Sequence, residues 1–212
     1  MSKAYIYVGG EVYPEVLTER PVDGDLVIAA DSGYDNAVLL GVTPQILVGD
    51  MDSIRGRDFP KELEIYQVPA EKSQTDTQLA VDLALSKGVR EIVIVGGLSG
   101  RLDHTMSNLG VLEKLHELHV HAVICDGANR VRLLRNASTL IPRGGYTYLS
   151  LLAADRVVRG VEVQGVKYPL KGAKLTNKNQ YAVSNELTGN CALIAVRRGG
   201  VFVIESKDKE RT

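Results

Sequence analysis

Before residue 128 the chain repeats one phrase five times: an apolar run ends on Gly or Asp and gives way to a helix-compatible stretch. The runs are Ala4–Val8 before Gly9-Gly10, Leu26–Ala30 before Asp31-Ser32-Gly33, Ile46–Val48 before Gly49-Asp50, Glu91–Val95 before Gly96-Gly97, and His121–Cys125 before Asp126-Gly127. They are apolar rather than alternating, which suits strands buried on both faces of a parallel sheet. Thr77–Lys87 carries Leu79, Ala80, Leu83 and Ala84 in a helical stripe and closes on Gly88, and Thr105–His119 carries Val111, Leu112, Leu115 and Leu118 at similar spacing. Strand alternating with helix predicts a Rossmann-like three-layer α/β domain with a mostly parallel sheet over 1–127.

From about Asn129 the pattern changes. Val131–Leu134, Tyr146–Leu152, Val161–Val163 and Lys167–Leu170 are short, often alternating, and separated by Gly, Asn or Pro. Cys191–Val196, the turn Arg197-Arg198-Gly199-Gly200, and Val201–Ile204 predict a terminal hairpin. No long helical stripe appears in this half, which predicts a small β-sandwich domain over 128–212 with a frayed charged end from Lys207. The fold class is therefore α/β plus β, in two modest domains.

Charge excludes several partners. Lys+Arg number 25 against 26 Asp+Glu, so nothing electrostatic favours nucleic acid or an anionic membrane. Aromatics make up 5% with no Trp, too few for a base-stacking platform. Cys125 and Cys191 lie far apart and fit no zinc or redox spacing; they are expected as reduced thiols in a cytoplasmic protein. Met1-Ser2-Lys3 leads straight into a strand-like run, without the pattern of a secretory leader, and no stretch approaches the roughly 20 apolar residues of a membrane span.

In open α/β sheets, ligands bind outside the carboxyl ends of the strands. Asp31 follows the second apolar run, and Asp50 and Asp52 follow the third. Two residues apart in extended chain, Asp50 and Asp52 point the same way. Acids converging on one edge repel unless a cation sits among them, and an oxygen-only donor set favours Mg²⁺, most often in the service of a phosphoryl substrate. Any one such Asp is also an ordinary turn residue. Glu71 through Thr77 precedes a helix: Ser73 or Thr75 is a candidate cap, and Asp76 either complements the helix dipole or joins the other acids at the metal.

The loop Gly96-Gly97-Leu98-Ser99-Gly100-Arg101-Leu102-Asp103-His104 joins a strand to a helix. Its glycines let backbone amides approach an anion, and Arg101 supplies a fork for phosphate oxygens. It matches neither G-x-G-x-x-G nor G-x-x-x-x-G-K-[ST], and a plain turn with Asp103 as helix cap reads about as well. His116, His119 and His121 lack an acid or cysteine to complete a zinc set, and no Ser lies in a G-x-S-x-G context.

Taken together, Ala30-Asp31-Ser32-Gly33, Gly49-Asp50-Met51-Asp52-Ser53-Ile54, Glu71-Lys72 through Thr75-Asp76-Thr77, Gly100-Arg101-Leu102-Asp103-His104, and Ser184-Asn185-Glu186 resemble thiamine pyrophosphokinases in order and spacing. The resemblance runs from about Tyr5 to Ile204. It implies transfer of pyrophosphate from ATP to the hydroxyl of thiamine, giving thiamine diphosphate and AMP, with Mg²⁺, in a homodimer whose active sites lie between subunits. It implies a metal site at Asp50, Asp52 and Asp76 with Asp31 nearby, and a nucleotide-phosphate loop around Gly97, Arg101, Asp103 and His104. Ser184 and Asn185 are implied as thiamine contacts reaching the partner subunit's cleft. The chain departs from many relatives at Ser73, where an Asp is common.

On this reading the reaction is an in-line displacement at the β-phosphorus, with Asp76 or Asp103 accepting the hydroxyl proton. Two other readings use the same residues: a thiamine- or nucleotide-binding module without catalysis, and a metal-dependent phosphohydrolase.

Overall fold

Each of the five apolar runs forms a strand. In the computed structural model, which describes residues 3–50, 59–68 and 73–208, the chain divides into two compact units, Met1–Gly127 and Ala128–Thr212. The first holds β1 (Ala4–Tyr7), β2 (Leu26–Ala30), α1 (Gly33–Leu39), β3 (Ile46–Gly49), β4 (Glu64–Gln67), α2 (Asp76–Ser86), β5 (Glu91–Val95), α3 (Leu102–Glu117) and β6 (His121–Cys125). These strands run in the order β4-β3-β2-β1-β5-β6, and every neighbouring pair is parallel.

Burial explains why the runs are apolar throughout. All four residues of β1 and of β3 are buried, and so are Val27–Ala30 of β2. Tyr5, Tyr7, Val27, Val93 and Val95 pack together with Ala37 of α1. The intervening Ile6, Ile28, Ile92 and Ile94, which point to the opposite face, are fully buried as well. The edge strand β4 is exposed along its length, and its sequence Glu64-Ile65-Tyr66-Gln67 accordingly carries no apolar run to betray it.

Local chemistry sets the helix ends. Thr75 starts α2 with a reciprocal cap: its hydroxyl accepts the Gln78 N–H at 3.3 Å, and the Gln78 amide oxygen accepts the Thr75 N–H at 3.0 Å. α3 buries Asn108, Val111, Leu112 and Leu115 on one face and ends where His119 turns left-handed at φ 56°. It begins at Leu102, earlier than the stripe from Thr105 suggests, because its first turn carries exposed residues that no apolar periodicity marks. Arg101, not Asp103, occupies the cap position, and no side chain caps the helix there.

The second unit contains β7 (Asn129–Arg135), β8 (Ser138–Pro142), β9 (Tyr148–Ala153), β10 (Val157–Gln164), β11 (Leu170–Thr176), β12 (Cys191–Arg198) and β13 (Gly200–Ser206). They form two antiparallel sheets, β7-β13-β9 and β11-β10-β12-β8, enclosing a core that includes Leu149, Leu151, Val161, Ile194, Val196, Val201 and Val203. Alternating burial along β9, β10 and β12 is the signature of strands with one face inward.

Two expectations need correction here. Lys167–Leu170 is not a strand but the approach to one, since β11 starts at Leu170. The terminal hairpin does not form: β12 pairs with β10 and β8, whereas β13 pairs with β7 and β9. Both strands turn their apolar faces into the same core, so they belong to opposite sheets. Gly199 at φ 100° makes the crossing, its N–H held by the Asn136 side chain and the Gly200 N–H by Asp155. Among the described residues, no helix is long and apolar enough to cross a membrane.

Candidate active site

The parallel sheet has one switch point. From β1 the chain winds outward through β2, β3 and β4, then returns to place β5 on the other side of β1. Loops leaving neighbouring strands diverge at such a point and leave a crevice at the carboxyl edge. Here the crevice is a cleft of about 480 Å³.

The cleft gathers most of the residues singled out from sequence. Asp31 after β2, Asp50 after β3 and Asp76 at the start of α2 line it, together with Gly97, Arg101 and His104 from the loop between β5 and α3. Asp103 sits on the first turn of α3 beside this lining, bound to Arg101. Asp52 lies outside the described residues, as do Met51, Ser53, Ile54, Glu71 and Lys72. Ser184 and Asn185 belong to the second unit.

Backbone constraints shape the walls. Asp31 adopts a left-handed conformation at φ 48°, uncommon for a residue with a side chain, and its N–H bonds to the Val48 carbonyl at 2.8 Å. The next turn presses against the end of β1. A Cβ on Gly33 would come within 2.0 Å of the Tyr7 carbonyl oxygen, so only glycine lets α1 start there. Gly96 and Gly97 have φ of 97° and 73°, and the Gly97 N–H crosses to the Gly9 carbonyl at 2.9 Å. Asn108 of α3 is buried and donates to the Gly97 carbonyl at 3.0 Å, fixing the loop from behind.

Sequence reasoning missed part of this lining. Gly9, Gly10, Ser32, Thr75, Ser99 and Asn108 also face the cleft. Gly9-Gly10 ends an apolar run as the other strand-end loops do, and Ser32, Thr75 and Ser99 fall inside segments named for their neighbours, so that signal was available; Asn108 carried none.

Charges of both signs line the cleft. The Arg101 guanidinium holds the Asp103 carboxyl below the usual carboxylate range, and the His104 N–H adds to the effect. Asp31, Asp50 and Asp76, after β2, after β3 and at the start of α2, bring carboxylate oxygens to the same cleft, the donor chemistry that suits a hard divalent cation. Among the described residues, no three His, Cys, Asp or Glu come together as a metal site. This also covers His116, His119 and His121.

In the second unit, Asn185 is buried and its side chain is spent on main chain. Its amide donates to the Tyr168 carbonyl at 2.8 Å and accepts the N–H groups of Tyr168 and Glu186, each at 3.0 Å. Ser184 is exposed in a left-handed conformation at φ 54°, anchored by its N–H to the Ser150 hydroxyl at 2.9 Å. Tyr168, Tyr181 and Val183 are exposed nearby in sequence.

Comparison with known proteins points one way. The model "Thiamin pyrophosphokinase, catalytic domain" matches residues 22–124, and "Thiamin pyrophosphokinase, vitamin B1 binding domain" matches residues 138–200. A thiamine pyrophosphokinase of Bacillus subtilis is 29% identical over 98% of this chain and 100% of its own. The crystal structure of a thiamine pyrophosphokinase from Bacillus subtilis superposes with a TM-score of 0.85 at 26% identity, covering 98% of this chain and 100% of that one. A family protein from Enterococcus faecalis gives 0.82 at 26% identity, over 99% and 100% of the two chains.

Proposed function

Because the chain belongs to the thiamine pyrophosphokinase family, we infer that it transfers the pyrophosphate of ATP to the hydroxyl of thiamine, giving thiamine diphosphate and AMP. The observation that carries this reading in the molecule itself is the cleft at the sheet's switch point, lined by carboxylates after β2, after β3 and at the start of α2 and by a glycine-arginine loop after β5.

The assignment of roles follows from that lining. Asp50, Asp52 and Asp76 are the proposed holders of Mg²⁺, with Asp31 beside them. Bound there, Mg²⁺ would neutralise charge on phosphate oxygens. Arg101 and His104, with the Gly97 main chain, orient the phosphate chain for in-line attack. Asp103 is a weak base because Arg101 keeps its carboxyl below the usual range, so its task is to aim that arginine.

Ser184 is the proposed thiamine contact from the β unit, with Asn185 holding the turn that presents it. We further propose a homodimer in which this turn reaches the partner subunit's cleft, and a cytoplasmic location that keeps the exposed Cys191 reduced.

One assay tests the reaction. Purified protein with ATP, Mg²⁺ and thiamine should yield AMP and thiamine diphosphate in equal amounts. ADP in place of AMP would mean transfer of a single phosphoryl group. Phosphate released without thiamine would mean a phosphohydrolase, and binding without turnover a non-catalytic module.

A further inference from the structure

We propose that the main-chain N–H groups of Gly9 and Gly10 form a second phosphate-oxygen cradle in the cleft, and that Asn36 is the residue that positions it. The proposal rests on the ATP-dependent reading above and adds to it a site on the β1 side of the switch point.

Asn36 lies on α1, three residues past the motif that ends at Gly33. Its side-chain nitrogen donates to the Val8 carbonyl at 2.7 Å and to the Gly10 carbonyl at 2.8 Å. The carbonyl between them, that of Gly9, accepts the Gly97 N–H at 2.9 Å. Three successive carbonyls at the end of β1 are thus held by α1 and by the loop after β5.

A planar trans peptide points its N–H opposite to its carbonyl. Fixing the carbonyls of residues 8, 9 and 10 therefore turns the N–H groups of Gly9, Gly10 and Glu11 away from those partners. For Glu11 the direction is visible, since its N–H donates to the Ser99 hydroxyl at 2.6 Å, and Ser99 lines the cleft. Gly9 and Gly10 line the same cleft. Gly10 has φ 98°, and left-handed residues of this kind let successive N–H groups converge on an anion.

The space around the two glycines agrees with this role. A Cβ on Gly9 would meet the Ser32 hydroxyl oxygen at 2.5 Å, and one on Gly10 would meet the Ser99 hydroxyl at 3.0 Å. The segment therefore presents backbone, not side chain, to whatever occupies the cleft. An amide nitrogen suits the clamp because it carries two donors and no charge, whereas a carboxylate would set acceptor against acceptor.

The test uses the full chain and inorganic tripolyphosphate, a probe with the phosphate chain but neither adenine nor ribose. Asn36→Ala should weaken tripolyphosphate binding, measured by calorimetry, by about tenfold, and Asn36→Asp by at least as much. In turnover, KM for ATP should rise by a similar factor while KM for thiamine stays within about twofold. Unchanged tripolyphosphate affinity, or equal shifts for ATP and thiamine, would overturn the proposal in favour of a purely structural asparagine. Should Asn36→Ala fail to fold, Ser99→Ala loosens the same segment from its other side and should weaken tripolyphosphate in the same direction. Because the calorimetry needs no turnover, failure of the cradle is distinguishable from failure of the pyrophosphokinase reading.

Discussion

The guanidinium of Arg101 forks onto the carboxylate of Asp103, Nη2 to Oδ2 at 2.6 Å and Nε to Oδ1 at 3.2 Å. Both side chains are exposed, so the pair adds little to stability. Its consequence is geometric: an arginine at the edge of the cleft is oriented before any phosphate arrives. A carboxylate whose folded pKa is lowered favours the fold above its ordinary pKa and loses that contribution as pH falls through the lowered value. Carboxyl NMR should therefore show Asp103 titrating below the ordinary aspartate range, and in Arg101→Ala it should move upward. An Asp103 titration unaffected by Arg101→Ala would dissolve the pairing and the role built on it.

Asp50→Asn and Asp52→Asn each replace a charged oxygen donor with a neutral amide of nearly the same shape. Turnover should drop by about a hundredfold or more, while the thermal midpoint moves by only a few degrees. Full activity in either variant would remove that residue from the proposed metal site.

Gly33→Ala should be strongly destabilising, because its methyl group would lie within 2.0 Å of the Tyr7 carbonyl oxygen in a fully buried strand. Denaturant unfolding is expected to show a loss of about 3 kcal/mol or more. A loss below about 1 kcal/mol would mean that α1 can shift away from β1.

Tyr7 is completely buried, and its hydroxyl has no hydrogen-bond partner among the described residues; burial, only partly countered by Arg20, pushes its pKa up to about 12. The fold favours the neutral phenol, so the contribution is full below the ordinary pKa near 10 and is lost as pH rises through about 12. Tyr7→Phe should leave stability at neutral pH unchanged or raise it by about 1 kcal/mol, since an unsatisfied polar atom is removed. A clear loss of stability would show that the hydroxyl is satisfied in solution.

Cys191 is exposed on β12, whereas Cys125 is buried and burial raises its thiol pKa above the usual cysteine range. A thiol reagent should label one cysteine per folded chain and both in denaturant. Labelling of both in the folded protein would contradict the packing of β6.

Much of this was legible in the residues themselves. The apolar runs before Gly or Asp are a local property, and they fall where β1, β2, β3, β5 and β6 form. β4 escaped because an exposed edge strand need not be apolar, and the first turn of α3 because nothing there is buried. The turn at Gly199 read as a hairpin because alternation reveals that a strand has one buried face but not which sheet supplies its neighbours.

By itself the sequence determined the kinds of element, the change from parallel α/β to antiparallel β near Asn129, and the strand-end acids and glycines from which a site would be made. Those follow from periodicity and turn chemistry, which act over a few residues. Only the tertiary structure decided that β5 returns beside β1, and so that Asp31, Asp50 and Asp76 share a cleft with Arg101. It alone revealed Asn36 as a clamp on the end of β1, 28 and 26 residues from the carbonyls it holds. The physical reason is that a hydrogen bond between distant segments depends on where the whole sheet places them, and an asparagine on a short helix carries no local mark of such a partner.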